Sequence, residues 1–370
     1  MTIINSRERL TRLFNGQETD RIPIWLLAPY HKLGCYADIY NIPCYEPITK
    51  AIEQYCDTFD RRGFNNGFCY NYNPEIKYDY KTVTENGNTR NQATLSYKDF
   101  SLTRYTSFGS GGTKTKFFVD EIEQLDKILE IPYVPPTPDF SSYFIEKDEL
   151  GNKGLMMIDI GDPLLPLYGI MCAEDFSIFS LTDYDKILEF TDEMYKRVYS
   201  YYKYLLDNDV GEVFFIVGAE FAGPPLVSPM KFKEMSSRYV KGLCDLIRSY
   251  GKHSIVHYHG QLFQILDGMK DIGMDGLHTI EAPPIGDCTI SQARDVLGKD
   301  TILIGNIQYD DLARLSVDEI DELVRLAIAE GRSGKFILSP SAGPYETSLT
   351  AKQVENYLAF IHAGVKYGKY

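Results

Sequence analysis

Short apolar runs and amphipathic stretches alternate along most of this chain. The stretch SRERLTRLFNG is predicted to be a helix, with Ser6 as its N-cap and Gly16 as its stop. The apolar run IPIWLLA (22–28) follows as a first strand, EPITKAIEQYCDTFDRR as a helix, and NGFCYNY (66–72) as a second strand. From Ile76 to Phe118 the pattern switches to period two around an Asn86-Gly87 hairpin signal, which predicts a β-rich insertion over about 76–118. Alternation then resumes. Strands are predicted at LMMIDIG (155–161), EVFFIVGAE (212–220), HSIVHYHG (253–260), GLHTIE (276–281), TILIGNIQ (301–308) and KFILSPS (335–341), with a helical stretch after each.

That makes eight strands, the last six separated by helices. Continuous apolar strands joined through helices imply a parallel sheet covered on its faces, and eight such units favour a (β/α)8 TIM barrel over a doubly wound sheet. No Gly-x-Gly-x-x-Gly follows the first strand, which weakens a dinucleotide-binding reading. No low-complexity linker divides the chain, so residues 1–370 are expected to form one barrel domain with the insertion between strands two and three.

Composition narrows the partners. A net charge of −14 and a pI near 5.0 argue against nucleic acid or an anionic membrane surface. No run of eighteen apolar residues exists, and the opening MTIINSRERLTRLFNGQ carries charges where a signal peptide would be apolar, so a cytoplasmic location is expected. Cys35, Cys44, Cys56, Cys69, Cys172, Cys244 and Cys288 are odd in number and show no Cys-x-x-Cys spacing; they read as buried, reduced thiols. The 28 tyrosines and 20 phenylalanines beside one tryptophan suit a core, or a cleft for an aromatic ligand.

In a barrel of this kind the chemistry gathers at the C-terminal ends of the strands. Those ends carry Asp159 and Asp162, Glu220, His257 and His259, His278 and Glu281, Asn306 and Gln308, and Ser339 and Ser341. His257, His259, Glu220 and Glu281 offer imidazole and carboxylate donors suited to Zn²⁺, and three of them with an open position would make a catalytic site. The competing reading has one histidine packed in the barrel against a glutamate and the other solvated. His278 is expected to face the helices as a structural histidine, and only one of Asp159 and Asp162, which flank the turn DIGDP, is expected to line a pocket.

Taken in order, SRERLTRLFNGQETDRIPIW, GDPLLPLYGIMCAEDF, HYHGQ, LIGNIQ and FILSPSAGP resemble the uroporphyrinogen decarboxylase superfamily over nearly the whole chain. The resemblance implies a single (β/α)8 barrel that is either a decarboxylase or a corrinoid-linked methyltransferase. Family decarboxylases carry an arginine-rich segment after strand one and a histidine near the end of strand eight. This chain has WLLAPYHKLGCY, no arginine from Trp25 through Asp60, and Ala342 in the second place. The zinc-dependent methyltransferases use His-x-Cys at strand five and a Cys at strand eight, where this chain has His257-x-His259 and Ala342.

The resemblance therefore implies a methyltransferase with a harder donor set. It would use Zn²⁺ to polarise the oxygen of an aryl methyl ether or methanol-like donor and pass the methyl group to cobalamin carried by a partner corrinoid protein. His257, Glu220 and Tyr168, the last matching the family's pocket tyrosine, are the expected catalytic residues. Tyr30, His31, Asp162, Asn306 and Ser341 are the expected substrate contacts. A decarboxylase of a carboxylated substrate and a non-catalytic ligand-binding barrel are the alternatives.

Overall fold

The computed structural model describes residues 4–34, 36–85, 88–109 and 112–370. Its main sheet is curled, parallel and seven-stranded, in the order β1 (Thr58–Arg62), β6 (Gly154–Gly161), β7 (Val213–Val217), β8 (His253–His257), β9 (Gly276–His278), β10 (Ile302–Ile307) and β11 (Phe336–Pro340). A separate antiparallel sheet holds β2 (Lys77–Glu85), β3 (Asn88–Tyr97), β4 (Phe100–Gly109) and β5 (Gly112–Lys116). It falls where the period-two pattern places the insertion. The Asn86-Gly87 signal itself, like Cys35, lies outside the described residues.

Two strand assignments change. Residues 66–72 do not form a strand, because the chain takes left-handed conformations at Gly67, Cys69 and Tyr70. The second strand is instead Thr58–Arg62, read above as a helix tail; the helix stops at Tyr55, and all five strand residues are buried. The segment 22–28 also lacks a ladder. One bridge, Ile24 to Leu338, joins it to β11, and Asp57 N donates 2.7 Å to Ile24 O just before β1. The segment thus touches both edges of the parallel sheet. The buried Asp57 carboxylate secures this corner by accepting from Arg9 (2.6 Å), Arg21 (2.8 Å) and the backbone N–H of Ile24 (3.0 Å). Removing one partner of such a buried ion pair costs about 3–5 kcal/mol.

The first helix is Ser6–Phe14, and its N-cap is Asn5, one residue before the expected Ser6. The Asn5 side chain accepts from Glu8 N, while Ser6 Oγ accepts from Thr58 N. The helix Tyr184–Asp207 lies between β6 and β7, where the alternation predicts a helical stretch. Three later helices begin with complete capping boxes, at Thr289/Gln292, Ser316/Glu319 and Thr350/Gln353.

Strand parity divides the apolar side chains into two cores. Phe59, Leu155, Met157, Val213, Phe215, Ile255, Ile302, Ile304 and Ile337 turn to the inside of the curl with Trp25 and Leu27, and Leu10, Leu13 and Phe14 of the first helix plug one end. The intervening positions, such as Met156, Ile158, Phe214, Val256, Leu303 and Leu338, pack outward against the helices. Burying each large side chain contributes roughly 1.5–3 kcal/mol. Continuing the inward parity along every strand but β7 reaches Arg61, Asp159, His257, His278, Asn306 and Ser339. An apolar plug with a polar layer above it is what positions the site.

The six described cysteines are free, and Cys56, Cys69, Cys244 and Cys288 are buried. No described helix is long and apolar enough to cross a membrane.

Candidate functional site

His257 is the last residue of β8 and His259 lies beyond it, so the two imidazoles do not share a strand face. They stand perpendicular, with ring centroids 4.5 Å apart, and each takes a different partner. The His257 and His278 rings lie nearly coplanar and edge to edge, 18° apart in plane with centroids 5.0 Å apart, and their Nδ1 atoms lie 2.8 Å from each other. His278 Nε2 lies 3.3 Å from the carbonyl oxygen of Pro340. His259 Nδ1 pairs with Glu281 Oε1 at 3.2 Å, and Glu281 Oε2 accepts from Gly260 N at 2.8 Å.

His278 thus faces the inside of the curl, contrary to the expectation that it faces the helices. The reason is parity. A Cβ on Gly276 would meet Ile255, Ile302 and Ile304, so Gly276 points inward, and His278 two residues on does the same. Trp25 and Phe215 flank its ring, with centroids at 5.8 and 5.6 Å.

Glu220 does not sit on a strand. It lies on the short turn Ala219–Ala222 after β7, held by a hydrogen bond of 3.1 Å from Gly218 N to its Oε2. Gly218 has φ +131°, and a Cβ there would fall 2.0 Å from Asp162 Oδ1, so only glycine lets the chain cross Asp162 and bring Glu220 over. Glu220 Oε1 comes to 3.8 Å from His257 Nε2. That is too long for a hydrogen bond and leaves an imidazole nitrogen and a carboxylate oxygen facing each other.

Burial sets the protonation of this group. Desolvation holds His257 well below the usual histidine value, helped by His278, His259 and the Arg61 charge. It takes His278 down to about 3. Both rings are therefore neutral near pH 7, which suits His257 to accept or ligate. Burial also raises Glu220 above the ordinary carboxylate range. For His259 burial is the largest influence and lowers the value, but the hydrogen bond and charge of Glu281, with the Glu220 charge, outweigh it and raise the imidazole. Glu281 is lowered, because hydrogen bonds from His259 and Gly260 N overcome its desolvation.

The expected substrate contacts scatter. Asp162 is fully enclosed; its Oδ1 accepts from the N–H groups of Leu164 (2.8 Å) and Leu165 (3.1 Å), and burial raises its carboxyl to about 8. It serves the turn under Gly218 and offers no exposed oxygen. Tyr168, the expected catalytic tyrosine, is 57% exposed and lays its ring against Phe221 at the rim, with centroids 4.6 Å apart. His31 is taken by Asp60 (2.6 Å) and Glu149 (3.0 Å), and Tyr30 packs on His31 and bonds Lys153. Ser341 Oγ accepts from Tyr309 N and donates to Gln308, tying two loops together. Asn306 alone of this set continues the inward parity of an apolar strand face.

The reading of the sequence missed Arg61. Its Nε donates to both oxygens of Asp159, at 2.8 and 3.1 Å, and its guanidinium lies 4.6 Å from the centre of the Phe215 ring, which leans on His257. Arg61 also bonds Tyr36, whose ring stacks on Tyr345 with centroids 5.6 Å apart. The neighbouring Arg62 is paired with Glu146. The signal available was the pair Arg61-Arg62 directly after the arginine-free segment, but its helical assignment hid it.

A parallel α/β sheet, plugged at one end and carrying histidines and carboxylates past its strand ends, defines the barrel-like class of enzymes that work at the mouth of the sheet. Residues 167–366, more than half of the chain, match the pattern of the family described as Uroporphyrinogen decarboxylase (URO-D), and the chain belongs to that family. No curated protein matches it. Among solved structures, a methyltransferase from Methanosarcina mazei is 15% identical, with a TM-score of 0.62 over 98% of this chain and 99% of that one. A B12-independent methionine synthase from Shewanella sp. W3-18-1 is 10% identical, with a TM-score of 0.52 over 94% and 97% of the two chains. At these identities the likeness is one of fold.

Proposed function

We propose that this protein is a methyltransferase that moves a methyl group from the oxygen of a small donor, an aryl methyl ether or a methanol-like compound, to a corrinoid carried by a partner protein. In this reading the segment 22–28 completes a (β/α)8 barrel in one domain, and a divalent ion, zinc by preference, sits between His257 and Glu220. The carrying observation is that gap of 3.8 Å, with a neutral imidazole nitrogen on one side and a buried carboxylate oxygen on the other. Two acceptors facing each other need a proton or a cation between them.

Among the described residues no group of three or more His, Cys, Asp or Glu side chains is gathered as if around a metal. The donors nonetheless suit one. His257 has its other nitrogen engaged, as metal-binding histidines do, and His259 and Glu281 are the nearest further nitrogen and oxygen donors. When bound, such an ion supplies Lewis acidity toward the leaving oxygen. The remaining work belongs to the chain. Phe215 and Trp25 close the floor below the histidines. The stacked Tyr36 and Tyr345 offer an aromatic surface beside Arg61, and Asn306 offers an amide to the donor's oxygen.

The loops that follow β6, β7, β8, β9 and β11 carry the exposed apolar side chains Tyr168, Met230, Phe263, Ile285 and Tyr345, a rim that suits a protein lid. A decarboxylase acting on a polycarboxylate would need free cations, and Arg61 and Arg62 are spent on Asp159 and Glu146.

The test incubates zinc-loaded protein with cob(I)alamin and a panel of methanol and aryl methyl ethers, following methylcobalamin by absorbance. Methylation that disappears in Glu220→Gln supports the reading. Absence of methylation across the panel, together with CO₂ release from a carboxylated substrate, overturns it.

A further inference from the structure

A carbonyl oxygen can only accept a hydrogen bond, and this fixes a proton two rings away from it. The Pro340 carbonyl stands 3.3 Å from His278 Nε2, so the hydrogen belongs on that nitrogen. A neutral imidazole carries one N–H, which leaves His278 Nδ1 bare. His278 Nδ1 lies 2.8 Å from His257 Nδ1, and a contact of that length between two ring nitrogens holds one hydrogen, here supplied by His257. His257 Nε2 is then bare and is the atom turned toward Glu220 Oε1.

We infer that His278 is a positioning residue: by passing the demand of the Pro340 carbonyl across the curl, it locks His257 in the Nδ1–H form and presents an unprotonated Nε2 to Glu220. Free imidazole favours the opposite form, with hydrogen on Nε2. Without the relay His257 would turn an N–H toward the ligand position and would have to shift its proton before binding a cation. The His278 ring lies nearly coplanar with that of His257, edge to edge, and packing against Trp25 and Phe215 holds it in the plane the relay needs. A glutamine at 278 has the same two functions, an amide oxygen to accept from His257 and an amide N–H for Pro340. A phenylalanine keeps the ring and loses both.

The inference rests on the reading of His257 as a donor to a cation, but its first test needs no metal. With only six histidines in the chain, ¹⁵N NMR of imidazole-labelled, metal-free protein at pH 7.5 can assign each tautomer. The expected spectrum has His257 protonated at Nδ1 and His278 at Nε2. His257→Gln and His278→Gln spectra assign the two signals. In His278→Phe the His257 hydrogen moves to Nε2, and Zn²⁺ affinity by competition titration falls about 10–100-fold, with His278→Gln restoring most of it.

Hydrogen on His257 Nε2 in the wild type, or doubly protonated rings, would overturn the inference. So would an unchanged His257 tautomer in His278→Phe. Correct tautomers in a protein that binds no zinc would overturn the metal reading and leave the relay standing.

Discussion

His257 and His259 are two residues apart and live under opposite rules. The deeper ring is 16% exposed, edge to edge with a second imidazole and neutral; the shallower one is 40% exposed and is held toward its charged form by Glu281. The difference comes from partners. For His257 desolvation is the largest influence and His278, His259 and the Arg61 charge add to it, whereas His259 is hydrogen-bonded to a carboxylate whose attraction exceeds the desolvation penalty. One histidine is thereby prepared to give a lone pair and the other to hold a salt bridge, within one tripeptide.

The largest effect expected from breaking this contrast is at His257. His257→Ala should lower methyl transfer about 10²–10⁴-fold and remove bound zinc, measured by initial rates and metal analysis. His259→Ala should cost less, about 10–100-fold in zinc affinity. Equal losses from the two substitutions would mean that the pairs are not different in kind.

Stability against pH sharpens the same contrast. The native values of His257 and His278 lie below those of the unfolded chain, so the unfolded state takes up protons first as pH falls below about 6.5. Acidification should therefore cost at most about 1.4 kcal/mol per pH unit for each ring, until the native values are reached. His259 has the opposite sign. Its contribution is full below about pH 6.5 and is lost as pH rises through its raised native value; that of Glu281 is present above about pH 4.3 and is lost as pH falls through its lowered one. Urea midpoints measured from pH 4 to 9 should show His278→Phe flattening the acid limb and His259→Ala flattening the alkaline one. An acid limb unchanged in His278→Phe would contradict a neutral deep pair.

The smallest effect is expected at the rim. Tyr168→Phe keeps the ring on Phe221 and removes only a hydroxyl from an exposed side chain, so rate and stability should stay within about 0.5 kcal/mol of wild type. A loss of 10-fold or more would restore Tyr168 to the catalytic group.

Much of this architecture is legible from pattern. The runs LMMIDIG, EVFFIVG and TILIGNI predict their strands because every second residue must fill the inside of the curl and the others the helical layer. TFDRR was not legible. A strand containing Asp60, Arg61 and Arg62 looks solvated until His31, Asp159 and Glu146, each at least twenty-nine residues away, arrive to neutralise it. The inward face of His278 was within reach through Gly276, since a missing side chain at an inward position is what a crowded inner layer requires. The partition of His257 and His259 was out of reach, because strand β8 ends between them and that end is set by pairing with β9.

The sequence by itself determined which residues could meet at the mouth of the sheet, since periodicity dictates the strands and the residues that follow them. It also determined that the side chains there would include the imidazoles and carboxylates of His257, His259, Glu220 and Glu281. Only the tertiary structure decided that His278 joins them, that Arg61 lies over the Phe215 ring beside them, and that one histidine is neutral and the other paired with a charge. Those outcomes depend on desolvation and on contacts of about 3 Å between residues far apart in the chain, and neither is encoded in local spacing.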